Sequence, residues 1–308
     1  MKIVFMGTPD FAVPCLDRII SDGHDILGVF TQPDKPKGRG YVLTPPPVKE
    51  TAIKNGIEVY QPLSLKNGEA LEILKKLNPD LIAVVAYGKI LPVDILELPK
   101  YGCINIHASI LPKYRGAAPI QWSVINGDKQ TGVTSMYMEQ GLDTGDMLIT
   151  KTIDIGENDT AGEVHDRLSV LGADVLSQTI EEMLQGSIKR IKQDDSLSTY
   201  SPMLDKSLCP IDWNESATTI HNKIRGLSPW PVATAVLEDK VVKVHLSRLS
   251  QEVGSKSGEV IKSDKNLIVS CGDGKCIEIL QIQAQGSKRM SAQDYLRGRK
   301  IEEGTFFK

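Results

Sequence analysis

The chain has 308 residues, enough for two domains with separate cores, and its 41% hydrophobic and 24% charged residues are ordinary for a soluble globular protein. No apolar run approaches the roughly 20 residues that span a bilayer, and the apolar start at residues 1–7 is too short for a secretory signal, so the expected location is the cytoplasm. The net charge of −3 is uneven: residues 205–308 carry 16 Lys+Arg against 13 Asp+Glu (+3) and residues 1–204 carry 20 against 26 (−6), which permits a polyanionic partner for the second part without demanding one.

Residues 2–7 read as a buried strand ending in glycine. Thr8 is placed to cap a helix that Pro9 opens, with Val13, Leu16, Ile19 and Ile20 on its buried face. Residues 25–30 form a second strand, completing a βαβ unit with a right-handed crossover. Gly7 stands alone where a dinucleotide-binding turn needs G-x-G-x-x-G, so a nicotinamide cofactor loses its main support. Residues 31–47 show no helix or strand period. Lys35, Lys37 and Arg39 make this stretch basic, either as solvated turn residues or as a contact surface.

Residues 48–55 suit a helix, 58–61 a short strand and 69–77 a helix. The continuous apolar run at 80–87 is typical of a central parallel strand, and Gly88 at its end lets a ligand approach the backbone. At 103–107 the pattern alternates, with Ile104 and Ile106 on one face and Asn105 and His107 on the other. It breaks at Ser109, and Pro112 and Gly116 punctuate a loop. A helix at 119–126 follows, then strands at 132–138 and 147–155 around a Gly-rich turn containing Asp143, then a long helix at 160–184.

An unpatterned linker begins at about 187. Beyond it come a helix at 217–226 and strands at 232–249, 259–269 and 277–285, interrupted at Glu238-Asp239 and at Gly272-Asp273-Gly274. The expected fold is α/β: a Rossmann-like, mostly parallel sheet in a catalytic domain, 1–204, and a smaller open, OB-like β-barrel in 205–308.

Polar residues where a strand runs into a loop sit where open α/β sheets place their chemistry. A lone histidine there would be a satisfied polar residue on a sheet edge. Asn105, His107, Ser109 and Arg115 within eleven residues, with Asp143 downstream, point instead to a site. Ser109 lacks a G-x-S-x-G frame. Cys103 shares the face of Asn105, so a thiol nucleophile stays formally open, although nothing nearby in sequence marks an activated thiolate. The five scattered cysteines fit reduced thiols, and no Cys pair has zinc-site spacing, so no metal is expected. The trio Asn105, His107 and Asp143 suits direct acyl transfer. A carboxamide N–H and an imidazolium can stabilise the oxyanion of a tetrahedral intermediate, and a carboxylate can hold the imidazolium and accept the proton of an attacking amine.

Several runs resemble the folate-dependent formyltransferases. They are Phe5-Met6-Gly7-Thr8-Pro9-Asp10-Phe11, Gln32-Pro33-Asp34 with Lys37-Gly38-Arg39-Gly40, and Ala86-Tyr87-Gly88. They continue with residues 105–120, Gly141-Leu142-Asp143-Thr144-Gly145-Asp146 and Gly226-Leu227-Ser228-Pro229-Trp230-Pro231. The resemblance spans essentially the whole chain. The Gly-Arg-Gly loop, the Pro-Trp-Pro segment and the second domain narrow it to the branch that acts on tRNA. Ile110 stands where family members mostly have Leu, a volume-conserving change.

The resemblance implies that Asn105, His107 and Asp143 are catalytic. It implies that Ser109, Ile110, Leu111 and Pro112 line the tetrahydrofolate site, with the backbone near Val85, Tyr87 and Gly88 and the Asp143 turn beside the pteridine. The loop of Lys35, Lys37 and Arg39 would enter the acceptor end of tRNA. The implied reaction, in translation initiation, moves formyl from 10-formyltetrahydrofolate, a cosubstrate, to the α-amine of methionyl initiator tRNA, with no metal, no membrane and a monomeric protein. A formyltransferase for another amine would not need residues 205–308. A non-catalytic nucleic-acid-binding protein would not need the trio.

Overall fold

A computed structural model describes residues 1–37 and 42–308. Arg39, with its expected tRNA contact, lies outside the described residues. The described residues form two compact units. Unit 1 is Met1–Gly116, Thr131–Ile153 and His165–Tyr200; unit 2 is Ala117–Gln130, Asp154–Val164 and Ser201–Lys308. Neither unit is one unbroken stretch of chain, because two short excursions pack with the C-terminal third.

The strands in chain order are β1 (Lys2–Gly7), β2 (Asp25–Phe30), β3 (Lys35–Lys37), β4 (Val42–Thr44), β5 (Val59–Tyr60), β6 (Leu81–Val85), β7 (Cys103–His107), β8 (Arg115–Gly116), β9 (Gln130–Tyr137), β10 (Met147–Asp154) and β11 (Tyr200–Ser201). Between them lie α1 (Val13–Ser21), α2 (Pro47–Lys54), α3 (Glu69–Leu77), α4 (Val93–Leu96), α5 (Pro119–Ile125) and the long α6 (Ala161–Gln185).

Seven strands make one sheet in the order β10-β9-β7-β6-β1-β2-β5. From β7 to β5 the pairings are parallel, and β9 runs antiparallel to β7. β7 is therefore an interior strand, not an edge. From β1 the chain adds strands on one side and then crosses to the other with β6. That reversal opens a crevice at the C-terminal ends of β1 and β6, where such sheets bind ligands. Gly7 serves close packing at this point: a Cβ there would lie 2.9 Å from Ala12 Cβ and 3.0 Å from the Val85 carbonyl.

The helix expected directly after Thr8 starts later. A 3₁₀ turn (Asp10–Ala12) intervenes, and Pro14 rather than Pro9 stands in the first turn of α1. Thr8 is not a cap. Its hydroxyl donates to the Tyr87 carbonyl (3.1 Å) and accepts from the Gln32 N–H (3.2 Å), tying the ends of β1, β2 and β6 together across the crevice. The stretch expected to lack regular structure contains the hairpin β3–β4. Three-residue strands are too short to show a period.

The stretch expected as a linker from about 187 is bonded to the rest of unit 1. Ile191 exchanges backbone hydrogen bonds with Met147 (2.8 and 2.9 Å), and Arg190 pairs with Asp146 at 2.9 Å and covers the Tyr137 ring.

Unit 2 continues with α7 (Ala217–Gly226), β12 (Ala233–Leu237), β13 (Lys240–Val253), β14 (Val260–Lys262), β15 (Leu267–Ser270), β16 (Lys275–Ala284), β17 (Met290–Ser291) and α8 (Ala292–Gly298). The antiparallel path is β12-β13-β16-β15-β14, with β17 beside β16. Register shifts at Val244/Leu246, Leu246/Ser247 and Ser250/Val253 bend the long β13. The C-terminal tail bridges both free edges: Phe307 to Leu237 on β12, and Phe306 to Glu259 just before β14. An open sheet is thus curled towards a barrel and its exposed edges are covered. The inner face and α7 share one core that includes Ile220, Ile224, Leu227, Val244, Ile277 and Phe307. Ser216 caps α7 by accepting from the Thr219 N–H, which starts the helix where sequence places it.

Candidate active site

β7 delivers Asn105 and His107 to the C-terminal edge of the sheet. In register, Asn105 faces Val84 on β6 and Met136 on β9, and His107 faces Thr134. The strand alternation puts both polar side chains on one face. His107 is buried and Asn105 half-buried. Two acceptors flank the His107 ring. Nε2 lies 2.9 Å from the Tyr114 carbonyl, and Nδ1 lies 3.7 Å from Asp143 Oδ2. Only the Nε2 contact is a hydrogen bond; the Asp143 carboxylate faces Nδ1 from beyond hydrogen-bond distance, as a negative charge beside the ring. No described residue hydrogen-bonds the Asn105 carboxamide, so its N–H groups are available to a ligand.

Asp143 reaches this position from the turn between β9 and β10. Its φ of 54° lies in the left-handed region that a short polar residue tolerates. The carboxylate accepts the Gly116 N–H at 2.8 Å. Gly145 permits the turn, since a Cβ there would lie 1.9 Å from the Tyr137 carbonyl. The structure thus brings together the three residues that sequence singled out from positions 105, 107 and 143.

The loop after β7 is bonded to itself and to β9. Ser109 Oγ donates to the Lys113 carbonyl (2.7 Å), the Thr134 hydroxyl donates to the Ser109 carbonyl (2.8 Å), and the Leu111 N–H reaches Thr134 Oγ1 (3.3 Å). Ser109 and Leu111 are buried, whereas Ile110 and Pro112 are partly exposed. At the end of β6 Val85 is buried, and just beyond it the Tyr87 ring enters the core with Phe30, Leu91 and Cys103. The Tyr87 and Gly88 carbonyls accept from Gln32 Nε2 at 3.2 and 3.1 Å. This segment therefore offers a ligand its backbone, with Gly88 at φ 78°.

Lys35 is exposed on β3, and Lys37 lies in the same strand, paired through its backbone with Val42. Partial burial and the Lys35 ammonium both push Lys89 below the usual lysine range. Lys89 in turn donates to the Leu63 carbonyl at 2.9 Å.

Cys103 is not a nucleophile. Burial pushes its thiol up to about 12, and its Sγ sits 3.6 Å from the Ile95 carbonyl inside the core. Cys103→Ala is expected to keep turnover within threefold of wild type in a folded protein; a loss of two orders of magnitude in single-turnover rate would restore a thiol role.

Sequence reading gave no structural role to Gln32, Thr134 and Gln193, whose side chains bond loop backbones. The partners of a single polar side chain lie far along the chain and leave no local signal. Two open clefts of about 500 and 310 Å³ are lined only by unit 2 residues around β14 and Glu303 and hold none of the trio. Among the described residues, no group of three or more His, Cys, Asp or Glu side chains is placed to hold a metal ion, and no helix is long and apolar enough to cross a membrane.

The pattern that defines the formyl transferase family matches residues 1–180, and that of the formyl transferase C-terminal domain matches residues 203–300. The chain is 54% identical over 305 residues to the methionyl-tRNA formyltransferase of Clostridium novyi, covering 98% of each chain. It is 51% identical over 310 residues to that of Caldanaerobacter subterraneus, covering 100% of each. Among solved structures, an N-formyltransferase from Helicobacter canadensis in complex with folinic acid and dTDP-3-aminofucose superposes with a TM-score of 0.71 at 22% identity, covering 92% of this chain and 99% of that one; it shares the fold.

Proposed function

The chain belongs to the formyl transferase family, and from that membership we propose that it transfers the formyl group of 10-formyltetrahydrofolate to the α-amine of methionyl initiator tRNA in translation initiation. The observation that supports this most is a pairing: likeness to methionyl-tRNA formyltransferases along the whole chain, and an unengaged carboxamide beside a His–Asp pair. A half-buried amide donor without a partner suits a carbonyl oxygen, as the formyl group requires.

10-Formyltetrahydrofolate supplies the one-carbon group when bound: the amine nitrogen bonds to the formyl carbon, the bond from that carbon to N10 breaks, and tetrahydrofolate leaves with a proton on N10. The remaining steps belong to the chain. Asn105 donates to the formyl oxygen, and the His107 imidazolium adds positive charge as negative charge develops there. Asp143 faces the ring, orients it, and accepts, directly or through water, the proton that the amine loses. Ile110 and Pro112 offer apolar contacts to the folate, and Ser109, Leu111, Val85, Tyr87 and Gly88 contribute through their backbone. In this reading residues 1–204 carry catalysis, and residues 205–308, with their +3 charge, help hold tRNA. The protein works as a monomer in the cytoplasm.

Lys35, Lys37 and Arg39 contact the acceptor end of the tRNA. Arg39 is the member that can fork onto phosphate or a base edge. Arg39→Ala is expected to lower single-turnover formylation at fixed salt by roughly 10- to 100-fold, the worth of one forked contact, with folate affinity unchanged. Arg39→Lys recovers only part, since a point charge lacks the fork. If both variants match wild type, Arg39 is a solvated turn residue. Transfer of formyl to charged initiator tRNA is the direct assay of the whole reading.

A further inference from the structure

Gln193 lies in the stretch between α6 and β11 that sequence reads as linker, yet it is only 6% exposed. Its carboxamide uses its full hydrogen-bonding capacity. Nε2 donates to the Asp143 carbonyl (2.8 Å) and the Gly145 carbonyl (2.7 Å). Oε1 accepts from Arg115 Nε (3.0 Å) and Nη2 (2.8 Å). The Arg115 guanidinium also pairs with Asp195 at 2.7 Å. A few residues on, Thr199 accepts the Arg115 N–H at its carbonyl and the Tyr114 N–H at its hydroxyl, both at 2.8 Å.

One segment, 193–199, therefore holds both loops that meet at His107. One is the turn that carries Asp143. The other supplies the Tyr114 carbonyl to His107 and the Gly116 N–H to Asp143. The Asp143 backbone has φ 54°, a left-handed conformation that a short polar residue tolerates and that bonds from its neighbours hold in place. Gln193 bonds that residue's own carbonyl.

We infer that Gln193 is a positioning residue for the transfer reaction: by bonding the Asp143 turn to Arg115, it sets the Asp143 carboxylate against His107. The inference rests on the role proposed above for Asp143. Gln193 touches neither substrate and acts through that carboxylate.

The test uses the full-length protein and two variants of nearly equal size. In Gln193→Glu the carboxylate keeps Arg115 as a partner but has no hydrogen for the two carbonyls it faces, so the turn is pushed away. In Gln193→Met the shape remains and all four hydrogen bonds go. Steady-state formylation is measured against methionyl initiator tRNA with saturating 10-formyltetrahydrofolate, alongside thermal unfolding. Both variants fold, kcat falls at least tenfold, and KM for tRNA stays within threefold.

Coupling to Asp143 separates positioning from a general structural role. Adding Gln193→Glu to Asp143→Asn lowers kcat by less than threefold more, because the carboxylate that Gln193 positions is already gone. A folded Gln193 variant with wild-type kcat overturns the inference, as does a full multiplicative loss when Gln193→Glu is combined with Asp143→Asn. Loss of folding in both variants also overturns it, by making Gln193 a residue of the fold. Wild-type protein that forms no formyl-methionine would instead overturn the proposed function, so the two failures are distinguishable.

Discussion

Asp143→Asn lowers single-turnover formylation by about three to four orders of magnitude, the scale seen when a carboxylate that orients a catalytic histidine becomes an amide. The substitution keeps the side chain's size. The remaining amide oxygen can still accept the Gly116 N–H, which now meets Asp143 Oδ2 at 2.8 Å. Gln193 still bonds the carbonyls of residues 143 and 145, so the turn stays in place and thermal unfolding shifts little. The electrostatics change. The atom facing His107 Nδ1 is no longer charged, so the ring loses the negative charge 3.7 Å away, and the amine loses its proton acceptor. Formylation by Asp143→Asn within tenfold of wild type, in a protein with unchanged unfolding, would remove Asp143 from the chemistry.

Asn105→Ala is expected to lower kcat by about 100- to 1000-fold, the usual loss when one donor to a developing oxyanion is removed. The carboxamide has no partner among the described residues, so its removal breaks no internal hydrogen bond. It is also only half-buried, so little core packing goes with it. Activity should therefore fall far more than stability. Asn105→Asp is expected to fall at least as far, because a carboxylate repels the charge that the amide attracts. The check is kcat with both substrates saturating, together with a melting curve. A large drop in melting temperature with kcat preserved would make Asn105 a structural residue.

The sequence-level reading succeeded where a residue pattern has a single physical cause. β7 was legible because alternation over five residues fixes which side chains share a face, and Asn105 and His107 do share one. α3 and α7 fall within the bounds that sequence set, since a two-sided apolar pattern and capping residues such as Ser216 act locally. Longer-range features were not legible. Thr8 looks like a helix cap because local sequence shows only its neighbours; its partners are Gln32 and Tyr87, far along the chain. The hairpin β3–β4 is too short to carry a period. α4 and α8 are short, and α8, capped by Ser291, begins inside a polar stretch.

Long-range closure was hidden in the same way. The bridges from Phe306 and Phe307 depend on where two distant edges end up. The candidate site divides similarly. The residues that would touch substrate stand out by type and spacing. The residues that hold them, Thr134, Thr199 and Gln193, are ordinary polar residues whose partners only the fold reveals.

The decisive measurement incubates the purified full-length protein with 10-formyltetrahydrofolate and methionyl initiator tRNA and follows acid-stable formyl-methionine. Free methionine and small sugar amines serve as alternative acceptors. The proposed function predicts formyl-methionine on the tRNA, dependent on the folate, at a rate that Asp143→Asn nearly abolishes. It is contradicted if the folded protein leaves the methionyl tRNA unformylated, or if it formylates one of the small amines in preference to the tRNA.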